Sequence, residues 1–159
     1  MHARNKDLGG EAGFTLPEVL VVILIISLLA AIAIPSLLNQ RGKASDAGAK
    51  EMVHTAQVAE ESCATDNGGN YAPNCTSATT LQSYEQAIQV GSGYGDSYLN
   101  AANGVQVPGV GQAGGSNSYT VTATSTSGDT FSITRSASGA VIRTCAPAGS
   151  GGCNSSASW

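Results

Sequence analysis

The pattern of hydrophobic and polar positions divides the chain into a greasy stretch, a periodic stretch and an alternating one. From Phe14 to Leu38 only Glu18 carries a charge, and Val19 to Ile34 is an almost unbroken aliphatic block whose single polar member is Ser27. About 25 residues rise roughly 37 Å as a helix, enough to cross a hydrocarbon core of about 30 Å with some tilt. This block predicts a membrane helix. Beyond it the small and apolar residues are Ala44, Ala49, Met52, Val53, Ala56, Ala59 and Cys63, mostly three or four apart, which is the spacing of one helix face. The other face, with Asp46, Lys50, Glu51, Gln57, Glu60 and Glu61, reads as solvated. Together these stretches predict one helix from Phe14 to about Ser62, roughly 73 Å long, apolar all round in its first half and amphipathic in its second. Pro35, Gly42 and Gly48 are the points where it would bend or unwind.

An amphipathic helix needs a cover, and the C-terminal region supplies one. Tyr119 to Ser125 alternates Tyr119, Val121 and Ala123 with Thr120, Thr122 and Thr124, and Ser127-Gly128-Asp129 then turns. Thr130 to Arg135 alternates again through Phe131 and Ile133, Ser138-Gly139 turns, and Ala140 to Cys145 adds Val141 and Ile142. Three antiparallel strands follow, with a fourth near Val105 to Val107. The expected fold is α+β, a long N-terminal helix packed on a small antiparallel sheet of three to four strands. Residues 64–118 are rich in Gly, Asn, Ser, Ala and Tyr and predict only a short helix around Ala78 to Val90. Tyr71, Tyr84, Tyr94 and Tyr98 read as loop anchors rather than a binding face.

Composition narrows the function. Charged residues are 11% of the 159 and the net charge is -4, so no basic stripe exists for phosphate neutralisation and nucleic acid is not expected as the main partner. All four cysteines, Cys63, Cys75, Cys145 and Cys153, lie beyond the apolar block, which suits disulfides on an exported side. Of the three possible connectivities, the one made of two local bonds, Cys63 with Cys75 and Cys145 with Cys153, is favoured because these bonds close short polar loops that have little else to hold them. A zinc site is disfavoured by the lack of Cys-x-x-Cys spacing and by the distance of His2 and His54 from either pair. Asp66, Asn67 and Asn70, or Asp96, offer oxygen ligands too sparse and scattered to assign a metal, and no cofactor is implied. The chain does not read as an enzyme. His54 sits on a predicted helix, no Ser/His/Asp or paired-carboxylate spacing is present, and the glycine runs Gly91 to Gly95 and Gly109 to Gly115 lack a phosphate loop's lysine.

The first thirteen residues, MHARNKDLGGEAG, are charged and lack the apolar core of a secretory signal. Arg4 and Lys6 precede the block while Arg41, Lys43 and Lys50 follow it, so flanking charge leaves orientation open and the cysteines favour an exported C-terminus. Glu18 is the anomaly. A carboxylate at a membrane-helix centre costs about 2.5–3.5 kcal/mol, and no Lys, Arg or His lies within a turn or two of Glu18 to compensate it. Cleavage after Gly13 would create a cation, the Phe14 amine, four residues away.

The run Gly13-Phe14-Thr15-Leu16-Pro17-Glu18 before a long apolar block resembles the processing site of type IV prepilins and pseudopilins. The resemblance covers residues 9 to about 62. It implies cleavage between Gly13 and Phe14 by prepilin peptidase, N-methylation of Phe14, and pairing of Glu18 with the methylated amine of a neighbouring subunit during assembly. Pro35 falls where many family members carry proline. Pro17 departs from the usual aliphatic residue, but proline is tolerated in a first helical turn because its missing N–H would be unpaired there.

The implied organisation is a cleaved leader at 1–13, a transmembrane and assembly segment at 14–38, and the amphipathic half of the helix at 39–62. A variable loop region at 63–118 and a meander with its cysteine loop at 119–159 complete it. The implied function is a structural subunit of a type IV pilus-like filament for adhesion, motility or attachment. The alternative is a pseudopilin of a type II secretion or DNA-uptake system, and after it an anchored domain that never polymerises. The implied partners are other copies of the chain in a helical filament, prepilin peptidase, an inner-membrane assembly platform and the membrane before assembly. The precursor is expected in the inner membrane and the mature subunit in an extracellular filament.

Overall fold

The computed structural model describes residues 13–93, 95–107 and 117–159. The expectations for the leader ahead of Gly13, for Tyr94 and for Gly109 to Gly115 fall outside these residues. The chain divides into two units, Met1–Leu38 and Asn39–Trp159. The helix α1, Leu16–Asp66, contributes to both with 51 residues. It starts two residues later than the apolar pattern suggests and ends four residues beyond Ser62. Helical hydrogen bonding continues past Pro35, Gly42 and Gly48.

In the first unit every described side chain is exposed except a half-buried Ala30. Its most apolar window has a mean hydropathy of 2.9 and is 0% buried. Among the described residues nothing covers this segment, which is apolar all round as a membrane-spanning helix is.

The second unit holds the core. The end of α1 is fixed by backbone N–H groups of Asn67 and Gly69, which donate to the carbonyls of Cys63 (3.1 Å) and Ala64 (2.7 Å). The chain leaves through Gly68 at φ +69°, a conformation that glycine adopts without the steric cost other residues meet. A second helix, α2 (Ala78–Tyr84), is capped by Ser77, whose hydroxyl accepts from Thr80 N at 3.1 Å. It ends earlier than Val90, which instead bridges Leu99.

Among the described residues five strands form one antiparallel sheet: β1 (Ser97–Leu99), β2 (Val105–Gln106), β3 (Tyr119–Ser125), β4 (Thr130–Arg135) and β5 (Val141–Ala146). The meander β3–β4–β5 is the one the alternation predicts, with Ala123 opposite Phe131 and Phe131 opposite Cys145. One edge of β3 is shared by two short strands: Leu99 of β1 faces Ala123, and Val105 of β2 faces Val121. β1 is the strand that the sequence pattern does not announce.

Alternation decides the layers. Tyr119, Val121, Ala123, Phe131 and Ile133 are all 0% exposed, and they meet Ala49, Val53, Ala56, Ala59 and Cys63 of α1 in one apolar cluster. Leu81, Ile88 and Leu99 fill its side from the segment between helix and meander. On the outer face, threonine and serine hydroxyls pair across strands, Thr120 with Thr134 and Thr122 with Ser132, each at 2.9 Å. β5 behaves differently: Val141 and Ile142 remain 44% and 56% exposed, and only Cys145 of this strand is buried.

Two disulfides close the unit. Cys63 at the end of α1 joins Cys75, and Cys145 of β5 joins Cys153, with Cα separations of 6.0 and 5.6 Å. Short loops of this size remove roughly 2–3 kcal/mol of chain entropy each from the unfolded state.

The packing sets a contrast that denaturant unfolding can read through the single tryptophan, Trp159. Phe131→Ala, at a fully buried site whose ring lies 6.0 Å from the Trp159 ring, is expected to cost about 3–5 kcal/mol. Ile142→Ala, on the exposed strand, is expected to change stability by no more than about 0.5 kcal/mol.

Candidate functional site

The N-terminal hexapeptide adopts a specific local structure. Gly13, Phe14 and Thr15 precede the helix in irregular chain. Phe14 is 87% exposed, and among the described residues, its chain neighbours aside, nothing lies within 4 Å of where a Cβ on Gly13 would stand. Thr15 is the N-cap: its carbonyl accepts from Glu18 N at 3.1 Å and Val19 N at 3.3 Å. Glu18 folds back, and its Oε2 accepts from Thr15 N at 2.8 Å and from the Thr15 hydroxyl at 2.7 Å. This is the glutamate half of a capping box: the carboxylate three residues on accepts from the N–H of the cap residue, while the Thr15 hydroxyl donates to the same oxygen and Glu18 N goes to the Thr15 carbonyl. Pro17 stands inside that turn, where its missing N–H leaves no bond unmade.

The fold-back of Glu18 onto Thr15 adds local partners to the sequence reading of this residue. The carboxylate does have partners in its own helix, though they are neutral donors. Among the described residues its charge has no ion-pair partner; the ion pair found there is Arg135 with Glu61. Thr15 is the residue that sequence reasoning missed; the Thr-x-x-Glu spacing announced it, but a helix start placed at Phe14 hid it. Further along, Ser27 returns its hydroxyl to Leu24 O at 2.8 Å, so the one polar residue of the aliphatic block leaves no unpaired hydrogen. Pro35 lies within α1 on the exposed surface.

In the second unit the charged face of α1 is not uniformly solvated. Glu61 receives Tyr71 OH at 2.8 Å, Tyr119 OH at 2.9 Å and Arg135 Nε at 3.2 Å. The two tyrosine rings meet edge to face at 4.7 Å, and the Arg135 guanidinium lies 5.6 Å from the Tyr71 ring centre. Burial, then the hydrogen bond to Glu61, pushes the Tyr71 hydroxyl up to about 12, and the same causes push Tyr119 higher still. This cluster pins α1 to β3, β4 and the Cys63–Cys75 loop. Tyr71 thereby anchors a loop, as expected of it.

Glu60 and Asp46 depart from the sequence reading outright, because they are 0% and 1% exposed rather than solvated. Asp46 is well provided for: Ser127 Oγ donates to Oδ1 at 2.5 Å and Gly152 N to Oδ2 at 2.9 Å. Burial pushes its carboxyl up, but the bonds from Ser127, Ser125 and Gly152 and the charge of Lys50 outweigh burial and hold it below the ordinary value. Glu60 has no hydrogen-bond partner on either oxygen. Burial first, and the adjacent Glu61 charge second, push it up to about 8, so it stays neutral at pH 7.

A groove of about 400 Å³ on the exposed side of α1 is lined by His54, Gln57, Val58, Glu61, Ser62, Thr65 and Arg143. Its histidine lies about two turns before the adjacent acid and serine on the same helix, and Glu61 is already engaged by the tyrosines and Arg135. Asp66, Asn67 and Asn70 lie together at the end of α1, where the Asn67 side chain donates to Cys63 O at 2.8 Å and Asn70 to Asn67 O at 3.4 Å. Among the described residues no group of three or more histidine, cysteine or acidic side chains gathers.

Comparison with known proteins gives these features a setting. A family model described as the prokaryotic N-terminal methylation motif matches residues 9–34, the hexapeptide and the aliphatic block. The prepilin peptidase-dependent protein D of Escherichia coli (strain K12) is 33% identical over 118 residues, covering 69% of this chain and 81% of that protein. The chain belongs to the type IV pilin-like family. No solved structure matches it. For a pilin-like chain the motif and the apolar helix together support membrane anchoring as a precursor.

Glu60 makes the stability of this pilin-like fold depend on pH. Its folded value lies above its unfolded value of 4.5, so its contribution is complete below about pH 4.5 and is lost as pH rises through about 8. The unfolding free energy is expected to fall by a few kcal/mol between pH 5 and pH 9. Glu60→Gln, which cannot ionise, should flatten that slope in a denaturant titration repeated across the range.

Proposed function

We propose that the chain is a prepilin whose residues 1–13 are removed by prepilin peptidase, and that the product, beginning at N-methylated Phe14, is the subunit of a type IV pilus-like filament. The observation that carries this reading is the capping box. It leaves Gly13 and Phe14 in irregular chain ahead of the helix and holds Glu18 at the edge of an apolar surface that no described residue covers. The name of the E. coli relative, which states dependence on prepilin peptidase, supports the processing step.

In this mechanism the apolar segment 14–38 first resides in the bilayer and then exchanges lipid for the same segment of other subunits. Both surroundings reward aliphatic contact and leave backbone hydrogen bonding internal. Thr15 occupies Glu18 Oε2, so Oε1 is the oxygen left to accept the Phe14 ammonium of a neighbour. That pairing sets the stagger between subunits, because a carboxylate without a counter-charge is costly in an apolar filament core. The amphipathic half at 39–62 carries the head, in which 63–118 forms the variable region and 119–159 the meander with its cysteine loop. The assembly platform in the inner membrane is the partner that moves the subunit outward.

Two measurements in the native host test this. Mass spectrometry of sheared surface material should find the chain beginning at methylated Phe14, and electron microscopy should find filaments composed of it. Processed protein that stays in the cell envelope without surface filaments would replace the pilus role with that of a secretion or DNA-uptake pseudopilin. Glu18→Ala should be cleaved and inserted normally yet yield few filaments; normal filament numbers would rule out registration by this carboxylate.

A further inference from the structure

The first turn of α1 stops short of the bond that processing would break. In a helix running on toward the N-terminus, the carbonyl of Gly13 would accept from the backbone N–H four residues later, and that residue is Pro17. Proline has no N–H to give, and inside a helix its ring collides with the carbonyl four residues before it. The carbonyl that Pro17 keeps out of the helix is therefore the one in the Gly13–Phe14 peptide bond. Gly13, Phe14 and Thr15 are non-helical and exposed, α1 opens at Leu16, and the first carbonyl drawn into helical bonding is that of Thr15.

Pro17 is the firmest of the stops at this end. The Glu18 carboxylate marks the same boundary by accepting from Thr15 N, but a flexible side chain can give that donor up to another carbonyl, and Gly13 opposes a helix less strongly than proline does. Next to an apolar phase, backbone groups gain by bonding within the chain, so a helix that enters the phase is favoured to extend. Hydrolysis needs the opposite. Water adds its hydroxyl to the Gly13 carbonyl carbon, the C–N bond breaks, and the Phe14 nitrogen takes the proton. Charge gathers meanwhile on the Gly13 oxygen, which must be open to hydrogen-bond donors of the enzyme. An oxygen already bonded inside a helical turn is not open, whereas extended chain presents its C=O and N–H groups to a cleft.

We propose that Pro17 is a positioning residue for processing: it bars α1 from the Gly13–Phe14 bond and so presents that bond to the peptidase as extended chain. This assignment rests on the processing reading above and gives the proline, which departs from the usual aliphatic residue, a task of its own. An aliphatic residue at position 17 would let the first turn close over the Gly13 carbonyl, and that turn would have to open before each cleavage. The proline acts on how much of the precursor is cleavable rather than on the reacting atoms. Apparent affinity scales with that fraction, so the effect falls on KM and leaves kcat alone. Glu18→Ala keeps the proline, and its expected normal cleavage follows from this division of roles: the carboxylate serves assembly and the proline serves processing.

The test uses the full precursor in detergent micelles with prepilin peptidase purified from the native host, and follows loss of residues 1–13 by mass spectrometry. Pro17→Ala should raise KM by about threefold or more with kcat unchanged, and the backbone carbon chemical shifts of Gly13 and Phe14 should move to helical values. Pro17→Ala/Val19→Pro, in which proline again bars the helix but from another position, should restore both the KM and the extended shifts. If Pro17→Ala is not recovered folded, Pro17→Leu makes the same comparison. An unchanged KM, a loss that falls on kcat, shifts that stay non-helical in the single variant, or a double variant whose KM remains raised overturns the proposal and leaves the processing reading standing. A wild-type precursor that the peptidase does not cut between Gly13 and Phe14 overturns both.

Discussion

The head depends on one narrow contact, the burial of an alanine-rich stripe of α1 under the inner face of the meander. Ala49, Val53, Ala56, Ala59 and Cys63 present little side chain, so the larger residues of the contact, Tyr119, Val121, Phe131 and Ile133, come from the sheet. The helix supplies a smooth track and the strands supply the volume. Because the same helix is apolar all round in its first part, one continuous element satisfies two solvents, a hydrocarbon environment for one unit and a folded core for the other.

Polar groups then fix which surface meets which. Apolar contact between a helix and a sheet is permissive about rotation and sliding, whereas the Glu61 carboxylate accepts from Tyr71 and Tyr119 and pairs with Arg135 in only one arrangement. Asp46 does the same near the other end of the buried stripe, through Ser127 of the β3–β4 turn and the backbone N–H of Gly152. The two acids bracket the contact, and between them Glu60 stays neutral and unbonded within the core.

Much of this architecture is legible in the sequence, because periodicity reports burial directly wherever it is sustained. The aliphatic block, the helical spacing from Ala49 to Cys63 and the alternation through Val121, Ala123, Phe131 and Ile133 each repeat long enough to specify element and inner face. β1 escapes notice because three residues, Ser97–Leu99, are too few to show alternation, and its inward Ser97 is polar. Val141 and Ile142 mislead in the opposite sense: their β-branched character suits a strand, but α1 does not cover them. Asp46 and Glu60 look solvent-facing because residue type was used to assign the face. Helical phase puts Glu60 four residues after Ala56 and Asp46 three before Ala49, on the buried side. At the N-terminus, the hexapeptide is readable as a motif, while the fold-back of Glu18 onto Thr15 follows from where the helix begins, which propensity places only to within a residue or two.

The alanine stripe has a consequence for how rigidly the head is held. Alanine brings no rotamers to an interface, so seating this face of α1 loses almost no side-chain entropy, and the fit is between shapes that exist before contact. The same feature removes any means of adjustment. A leucine that crowds its neighbours can swing to another rotamer, but an alanine can yield only by moving the helix backbone. A bulkier residue at Ala49 or Ala56 would therefore act as a wedge, lifting α1 from the strands along its length and loosening Glu61 and Asp46 together.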